Sequence, residues 1–198
     1  GRDIIAQAQS GTGKTGTFVI GTLSKINYKD VNIQVIVITP SHELARQITD
    51  VYSNIGSLLN VKVELCIGQN VSSKTNMQNI QEGRHVIVGT PGRIYDLINR
   101  NKDVFKKIKM VVLDEADKLL SGEFKYQLQD IITLLDNTKS KYQSQDILKS
   151  KGEKIQICVF SSTLPEKIVD FCESFMNDPI KILIPIEELT LEGIKQYK

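Results

Sequence analysis

The chain has 198 residues, 40% hydrophobic and 24% charged, enough to bury the core of one domain. Its 25 Lys and Arg against 23 Asp and Glu leave a formal charge of +2, so bulk charge gives no argument for a nucleic-acid partner, which must be read from sites. The apolar runs at 35–38 and 110–113 are too short to span a bilayer, which argues against a membrane protein, and no signal-peptide pattern is visible. In chain order, short Val- and Ile-rich runs alternate with longer amphipathic segments, the α/β pattern. Strands are expected over residues 3–6, 33–39, 61–66, 85–88, 109–113, 155–160 and 180–183. Helices are expected over 14–26, 41–59, 71–81, 91–100, 124–135 and 166–176. The strand runs are nearly continuous in apolar character, which predicts a parallel sheet with helices on both faces. Right-handed crossovers then bring the strand-to-helix junctions to one edge, where folds of this class bind ligands. Cys66, Cys158 and Cys172 are odd in number and widely spaced, which suits reduced thiols of an intracellular protein better than disulfides or zinc.

Between the first strand and the first helix lies Ala8-Gln9-Ser10-Gly11-Thr12-Gly13-Lys14-Thr15. A phosphate cradle needs strand, glycine loop and helix in that order. Glycine at 11 and 13 lets successive N–H groups converge on anionic oxygens at a helix N-terminus. Lys14 would reach the β- and γ-phosphates of ATP, and Thr15 would offer its hydroxyl to Mg²⁺. A strict search for GxxxxGK[ST] misses this loop, because Ala8 holds its first position. The apolar run 110–113 ends in Asp114-Glu115-Ala116-Asp117, placing carboxylates at the mouth of a buried strand. Asp114 suits the metal, and Glu115 suits the water that attacks a phosphoryl group.

These residues carry a family resemblance. Asp114-Glu115-Ala116-Asp117 resembles the signature of the DEAD-box RNA helicases, and AQSGTGKT is similar to that family's phosphate loop, Ala8 included. The resemblance extends over nearly the whole chain. It implies a RecA-like P-loop NTPase domain over residues 1–185, the start of an interdomain linker over 186–198, and a second RecA-like domain that this chain does not contain. That second domain would complete the ATP site with its arginines and hold the other half of the RNA. The family's adenine-reading residues are implied to lie upstream of Gly1. Ser161-Ser162-Thr163, followed by Leu164-Pro165, resembles the family's Ser-Ala-Thr, whose two hydroxyls tie the acids to helicase movement. The implied catalytic set is Lys14, Asp114, Glu115, Asp117, Ser161 and Thr163, with Thr15 and Asp114 at the metal.

Thr90-Pro91-Gly92-Arg93 and, less closely, Pro40-Ser41-His42 with Gly68 resemble the family's RNA-contacting motifs. Thr90 and Pro91 also suit a helix start, while Gly92 permits close backbone approach and Arg93 can fork onto a phosphate. Binding through phosphates fixes position without reading bases, so single-stranded RNA or a short duplex is expected to bind regardless of sequence. Three positions depart from the family. His42 stands where it has Arg, which removes a fixed charge and is expected to reduce RNA affinity; Gln69 replaces a second glycine and would crowd a backbone contact; Ser162 replaces an alanine.

The tail 189–196 is similar to the linker of the translation initiation factor four-A subgroup, which implies translation scaffold proteins as partners and the cytoplasm rather than the nucleus. Residues 136–154, polar and with five Lys among three acids, are expected to form a mobile surface insertion, with a basic arm touching RNA as the alternative. Two rival functions stay open. One is a non-catalytic, nucleotide-gated RNA clamp, and the other is a P-loop kinase, which the acids at 114–117 disfavour.

Overall fold

The computed structural model describes residues 1–69, 71–143 and 154–184, with the backbone alone for 137–143. Its elements run β1 (Ile4–Gln7), α1 (Lys14–Leu23), β2 (Val35–Ile38), α2 (His42–Gly56), β3 (Val63–Cys66), α3 (Ser73–Gln81), β4 (Val86–Gly89), α4 (Pro91–Arg100), β5 (Met110–Asp114), α5 (Ala116–Leu120), α6 (Phe124–Gln143), β6 (Gln156–Ser161), α7 (Glu166–Glu173) and β7 (Ile180–Ile182). The strands form a single sheet in the order β3-β4-β2-β5-β6-β1-β7, every described pair parallel.

Strand β2 shows why the apolar runs are continuous. All four of its residues are buried, and they alternate between two cores. Val35 and Val37 face a layer with Phe18, Val19 and Leu23 of α1 and Ala45, Ile48 and Tyr52 of α2. Ile36 and Ile38 face the opposite layer, with Ile94 and Leu97 of α4, Leu128 and Ile131 of α6, and Cys172 of α7. Fully burying one such side chain stabilises by about 1.5–3 kcal/mol, so a strand covered on both sides has no position free for a polar residue. The hydroxyls of Thr22 and Tyr52 meet at 2.6 Å inside the first layer and bond α1 to α2. Asp3 accepts from the N–H of Ile157 at 2.8 Å and of Asn177 at 2.7 Å, tying the entry of β1 to β6 and to the turn before β7.

Most elements match the sequence reading to within one to three residues at each end, and two differ by more. Helix α5 follows the acids at once, burying Ala116, Leu119 and Leu120 where no helix is expected, because five residues are too few for a periodic signal. Helix α6 continues to Gln143, so residues 136–143 are helical rather than the start of an irregular insertion. No Pro or Gly interrupts the sequence from 124 to 151, and charge alone does not stop a helix. The rest of that segment, 144–153, and the linker positions 185–198 lie outside the described residues. Cys66, Cys158 and Cys172 are free and buried, and burial pushes all three thiols up. Among the described residues no helix is long and apolar enough to cross a membrane.

Gly89 closes β4 opposite Cys66, where its amide neighbour Thr90 donates to the Cys66 carbonyl at 3.3 Å. A Cβ on Gly89 would stand 2.1 Å from that carbonyl oxygen, which the strand cannot vacate without breaking its ladder. Gly89→Ala is therefore expected to destabilise the fold by about 3 kcal/mol or more, read as the shift in urea midpoint at unchanged slope. A loss under about 1 kcal/mol would show that β3 and β4 separate freely at this end.

Candidate functional site

Strands β5, β6 and β1 are neighbours, and their C-terminal ends carry the phosphate-loop and acid motifs. The loop leaves β1 with the Ala8 N–H donating to the Ser161 carbonyl at 3.1 Å, which seats it beside β6. Gly11 and Gly13 then take φ of 80° and 96°, left-handed values that side chains resist. Gly13 is the N-cap of α1, so the unpaired N–H groups of the first turn face the loop. The Lys14 ammonium reaches back over the loop to the carbonyls of Ala8, at 2.6 Å, and Gln9, at 3.2 Å. Thr12 fixes the same Gln9 carbonyl through its hydroxyl at 2.7 Å. Ser10 at the tip of the loop is exposed, and Thr15 stands half-buried on the first turn of α1.

Asp114 ends β5 with 5% exposure, and its Oδ1 is buried without a hydrogen-bond partner among the described residues. Burial pushes its carboxyl up to about 6, against the pull of the Glu115 backbone N–H and of the Lys14 charge. The loop that carries Lys14 follows β1 and Asp114 ends β5, so both lie on the same sheet edge with β6 between them. A desolvated carboxylate with an open oxygen fits a divalent cation, which would supply the charge that burial denies it. Thr15 and Asp114 are the residues that would hold Mg²⁺. Thr39 continues β2 beside Asp114, and its hydroxyl is likewise buried without a described partner.

Glu115 turns the chain into α5 with φ 52° and ψ 51°, a left-handed conformation that costs a residue with a Cβ about 1–2 kcal/mol. Its carboxylate pairs with Lys118. Asp117 is tied from β6. Its N–H donates to the Ser161 hydroxyl at 3.4 Å, and its carboxylate accepts from the Thr163 hydroxyl at 2.5 Å. Burial works to raise the Asp117 carboxyl, but the hydrogen bonds from Thr163 and Ser161 prevail and hold it below the usual carboxylate range. Ser162 does not disturb this pairing, since its carbonyl accepts from the Gln7 amide at 3.2 Å while its neighbours reach Asp117.

The remaining predicted residues gather at the ends of β2, β3 and β4, the other half of the same edge. Pro40 leads from β2 to Ser41, the N-cap of α2, whose hydroxyl accepts from the Leu44 N–H at 3.2 Å. Thr90 occupies the N-cap of α4 with Pro91 as the first helical residue, but its side chain makes no capping bond. The His42 ring lies against Gly68, with Nε2 3.9 Å from where a Cβ would stand, while Gln69 is exposed. Gly92 is exposed beside Gln127, and Arg93 donates from Nη1 to the Asn76 Oδ1 at 2.9 Å. Sequence reasoning passed over Asn76 and, behind it, Glu64. The available signal was an asparagine on the same helical stripe as Ile80, which is a costly place for an amide without a partner.

Residues 1–171 match the sequence model described as DEAD/DEAH box helicase. The whole chain aligns with a Caenorhabditis elegans protein named eukaryotic initiation factor 4A at 43% identity, covering 45% of that protein. It aligns equally completely with an ATP-dependent RNA helicase eIF4A of Debaryomyces hansenii at 42% identity, again covering 45%. Among solved structures, S. cerevisiae Dbp5 bound to RNA and ADP BeF3 superposes with a TM-score of 0.75 at 30% identity, over 98% of this chain and 45% of that one. A DEAD box protein from the hyperthermophile Methanococcus jannaschii superposes with a TM-score of 0.77 at 30% identity, over 92% and 45% respectively. This chain thus spans about half the length of the proteins it matches.

The raised carboxyl of Asp114 sets a pH signature for the protein free of metal and nucleotide. A folded value of about 6 above an unfolded value near 4 favours folding below pH 4, and this contribution is lost as pH rises through 6. Asp114→Asn is expected to be more stable than wild type at pH 8 by on the order of 2–3 kcal/mol, the difference closing below pH 4. Paired denaturant titrations across pH 3–8 in EDTA check this. A stability difference that does not change with pH would place the Asp114 carboxyl at an ordinary value.

Proposed function

The chain belongs to the DEAD/DEAH box helicase family, and on that premise we propose that it is the ATP-binding half of an ATP-dependent RNA helicase. It binds single-stranded RNA or a short duplex through the backbone without sequence preference, and separates short duplexes as ATP binds and is hydrolysed. The observation that carries this reading is the placing of the Gly11–Gly13–Lys14 loop after β1 and of the buried, unpartnered Asp114 at the end of β5, on one edge of the sheet with β6 between them.

Each residue has a part that its surroundings support. Phosphate oxygens are stronger acceptors for the Lys14 ammonium than the neutral carbonyls of Ala8 and Gln9, so a bound triphosphate draws the lysine onto its β- and γ-groups. Ala8, Gln9, Ser10, Gly11, Thr12 and Gly13 shape the loop around those groups, with the N-terminus of α1 beneath. Thr15 and Asp114 would hold Mg²⁺, which would supply positive charge to the phosphate oxygens. Glu115 orients the attacking water and Asp117 carries the state of the acids to β6 through Ser161 and Thr163. Two helix N-termini, at Ser41 and Thr90, together with Arg93, form the RNA surface.

The transition state spreads negative charge over the γ-phosphoryl oxygens, and Lys14 neutralises only one side of it. Arg2, Arg84, Arg93 and Arg100 are engaged by Asp178, Glu64, Asn76 and Asp96, away from the acids. A second RecA-like domain is proposed to supply the missing arginines. The similarity to initiation factor 4A proteins supports a role in translation initiation, and residence in the cytoplasm with scaffold partners belongs to the same proposal.

Lys14→Ala should lower Mg-ATP affinity at least tenfold in a chain that melts as wild type, measured by calorimetry; unchanged affinity in the folded variant refutes the cradle. In the full-length protein Glu115→Gln should bind ATP normally while turnover falls by about 10²- to 10⁴-fold. Residues 1–198 alone are expected to hydrolyse ATP about 10³- to 10⁵-fold more slowly than a chain extended through a second domain, with or without RNA. Turnover near 10 per second by the 198-residue chain, roughly the median for enzymes, and abolished by Lys14→Ala, would replace the two-domain account with an autonomous NTPase.

A further inference from the structure

Arg93 is held by a network that spans three elements. Asn76 of α3 is 0% exposed and uses its amide on both sides. Its Nδ2 donates to the Glu64 Oε1 at 2.8 Å and to the Leu65 carbonyl at 3.0 Å. Those two acceptors leave only one orientation for the amide, with Oδ1 turned to the Arg93 Nη1 at 2.9 Å. Glu64 of β3 also accepts from Asn79 at 2.9 Å and pairs with Arg84 at 3.3 Å.

The charges in this network are distributed unevenly. The Glu64 carboxylate is balanced by Arg84, so it stands next to Arg93 only through the neutral Asn76. Among the described residues the Arg93 charge is also felt at the carboxyl of Asp96, and that carboxylate is occupied by the Ser73 hydroxyl and by Arg100, the latter at 2.7 Å. Arg93 makes no ion pair among the described residues. A carboxylate in place of Asn76 would grip the guanidinium more strongly but would also neutralise it. A neutral acceptor fixes one N–H, leaves the formal charge intact, and frees the other donors of the fork for an anion.

We infer that Asn76, braced by Glu64, is a positioning residue that orients Arg93 toward an RNA phosphate while keeping its charge uncompensated. The inference rests on the RNA reading given above. It explains a buried asparagine on an apolar helix face as part of the binding surface, one step removed from the ligand.

The test is fluorescence anisotropy of a labelled oligouridylate with the full-length protein, in the presence of Mg²⁺ and a non-hydrolysable ATP analogue, over a series of KCl concentrations, with folding checked by circular dichroism. Arg93→Ala should weaken binding about tenfold or more and lower the salt slope by about 0.7, the loss of one single-strand phosphate contact. Absence of wild-type binding, or an Arg93→Ala chain that binds as wild type, overturns the RNA surface itself and this proposal with it. With that surface standing, Asn76→Asp should reproduce the loss of slope although Arg93 is still present, and Asn76→Ala should weaken binding in the wild type but add nothing to Arg93→Ala. An Asn76→Asp chain with wild-type affinity and slope overturns the positioning role. Should Asn76→Asp not fold, Arg93→Lys decides. It keeps the charge but not the fork, so affinity should fall severalfold at unchanged slope, and binding as tight as wild type would show that charge alone suffices.

Discussion

Parallel pairing in one register is the constraint on which the rest of this molecule depends. Because every described strand runs the same way, all strand ends that lead into helices fall on one edge of the sheet. The register is fixed at β2, where four buried residues alternate between two cores. A slip of one residue there would exchange the two apolar sets and break the pairing of Ile38 with Leu113 and with Gly89 at the head of the edge. Side-chain packing on both faces therefore sets the position of groups at the edge that take no part in packing.

The strand order divides that edge in two. The proposed RNA residues follow β2, β3 and β4, while the phosphate loop and acids follow β1, β5 and β6. Strands β2 and β5 are neighbours at the boundary, so the two halves meet without an intervening element. Within the second half, two carboxylates three residues apart are driven in opposite directions. Asp114 is raised by burial, and Asp117 is lowered by its hydrogen bonds with Ser161 and Thr163, at and just past the end of β6. One is thus a carboxylate that gains by meeting a cation, and the other is already satisfied by its hydrogen bonds to Thr163 and Ser161.

Most of this plan was legible in the sequence because it is local. Continuous Val and Ile runs identify β2, β4 and β5 as strands buried on both faces, although β7, expected to be covered likewise, is exposed at all three positions because it lies at the sheet edge; Gly11, Gly13, Lys14 and Thr15 announce a phosphate loop at their own positions. The acid motif likewise sits on consecutive residues. The hidden parts depend on contacts between distant segments. Nothing around Asn76 points to Arg93, seventeen residues on, or to Glu64 on another strand. The bond from Thr163 to Asp117 was suggested by likeness alone, since a polar strand end has many uses. Helix α5 was missed because five residues cannot show a period, and the length of α6 because charged residues weaken the amphipathic pattern without breaking a helix.

Glu115 stands where backbone geometry prefers glycine or asparagine, with φ at 52°. The fold is thus indifferent or averse to the residue found there, and only its carboxylate recommends it. Selection on this position would separate by what is selected. A library screened for thermal survival should drift toward glycine at 115, whereas one screened for the proposed ATP turnover should keep glutamate. Position 115 is therefore a place where the sequence preferences of a folding screen and of an activity screen point in opposite directions.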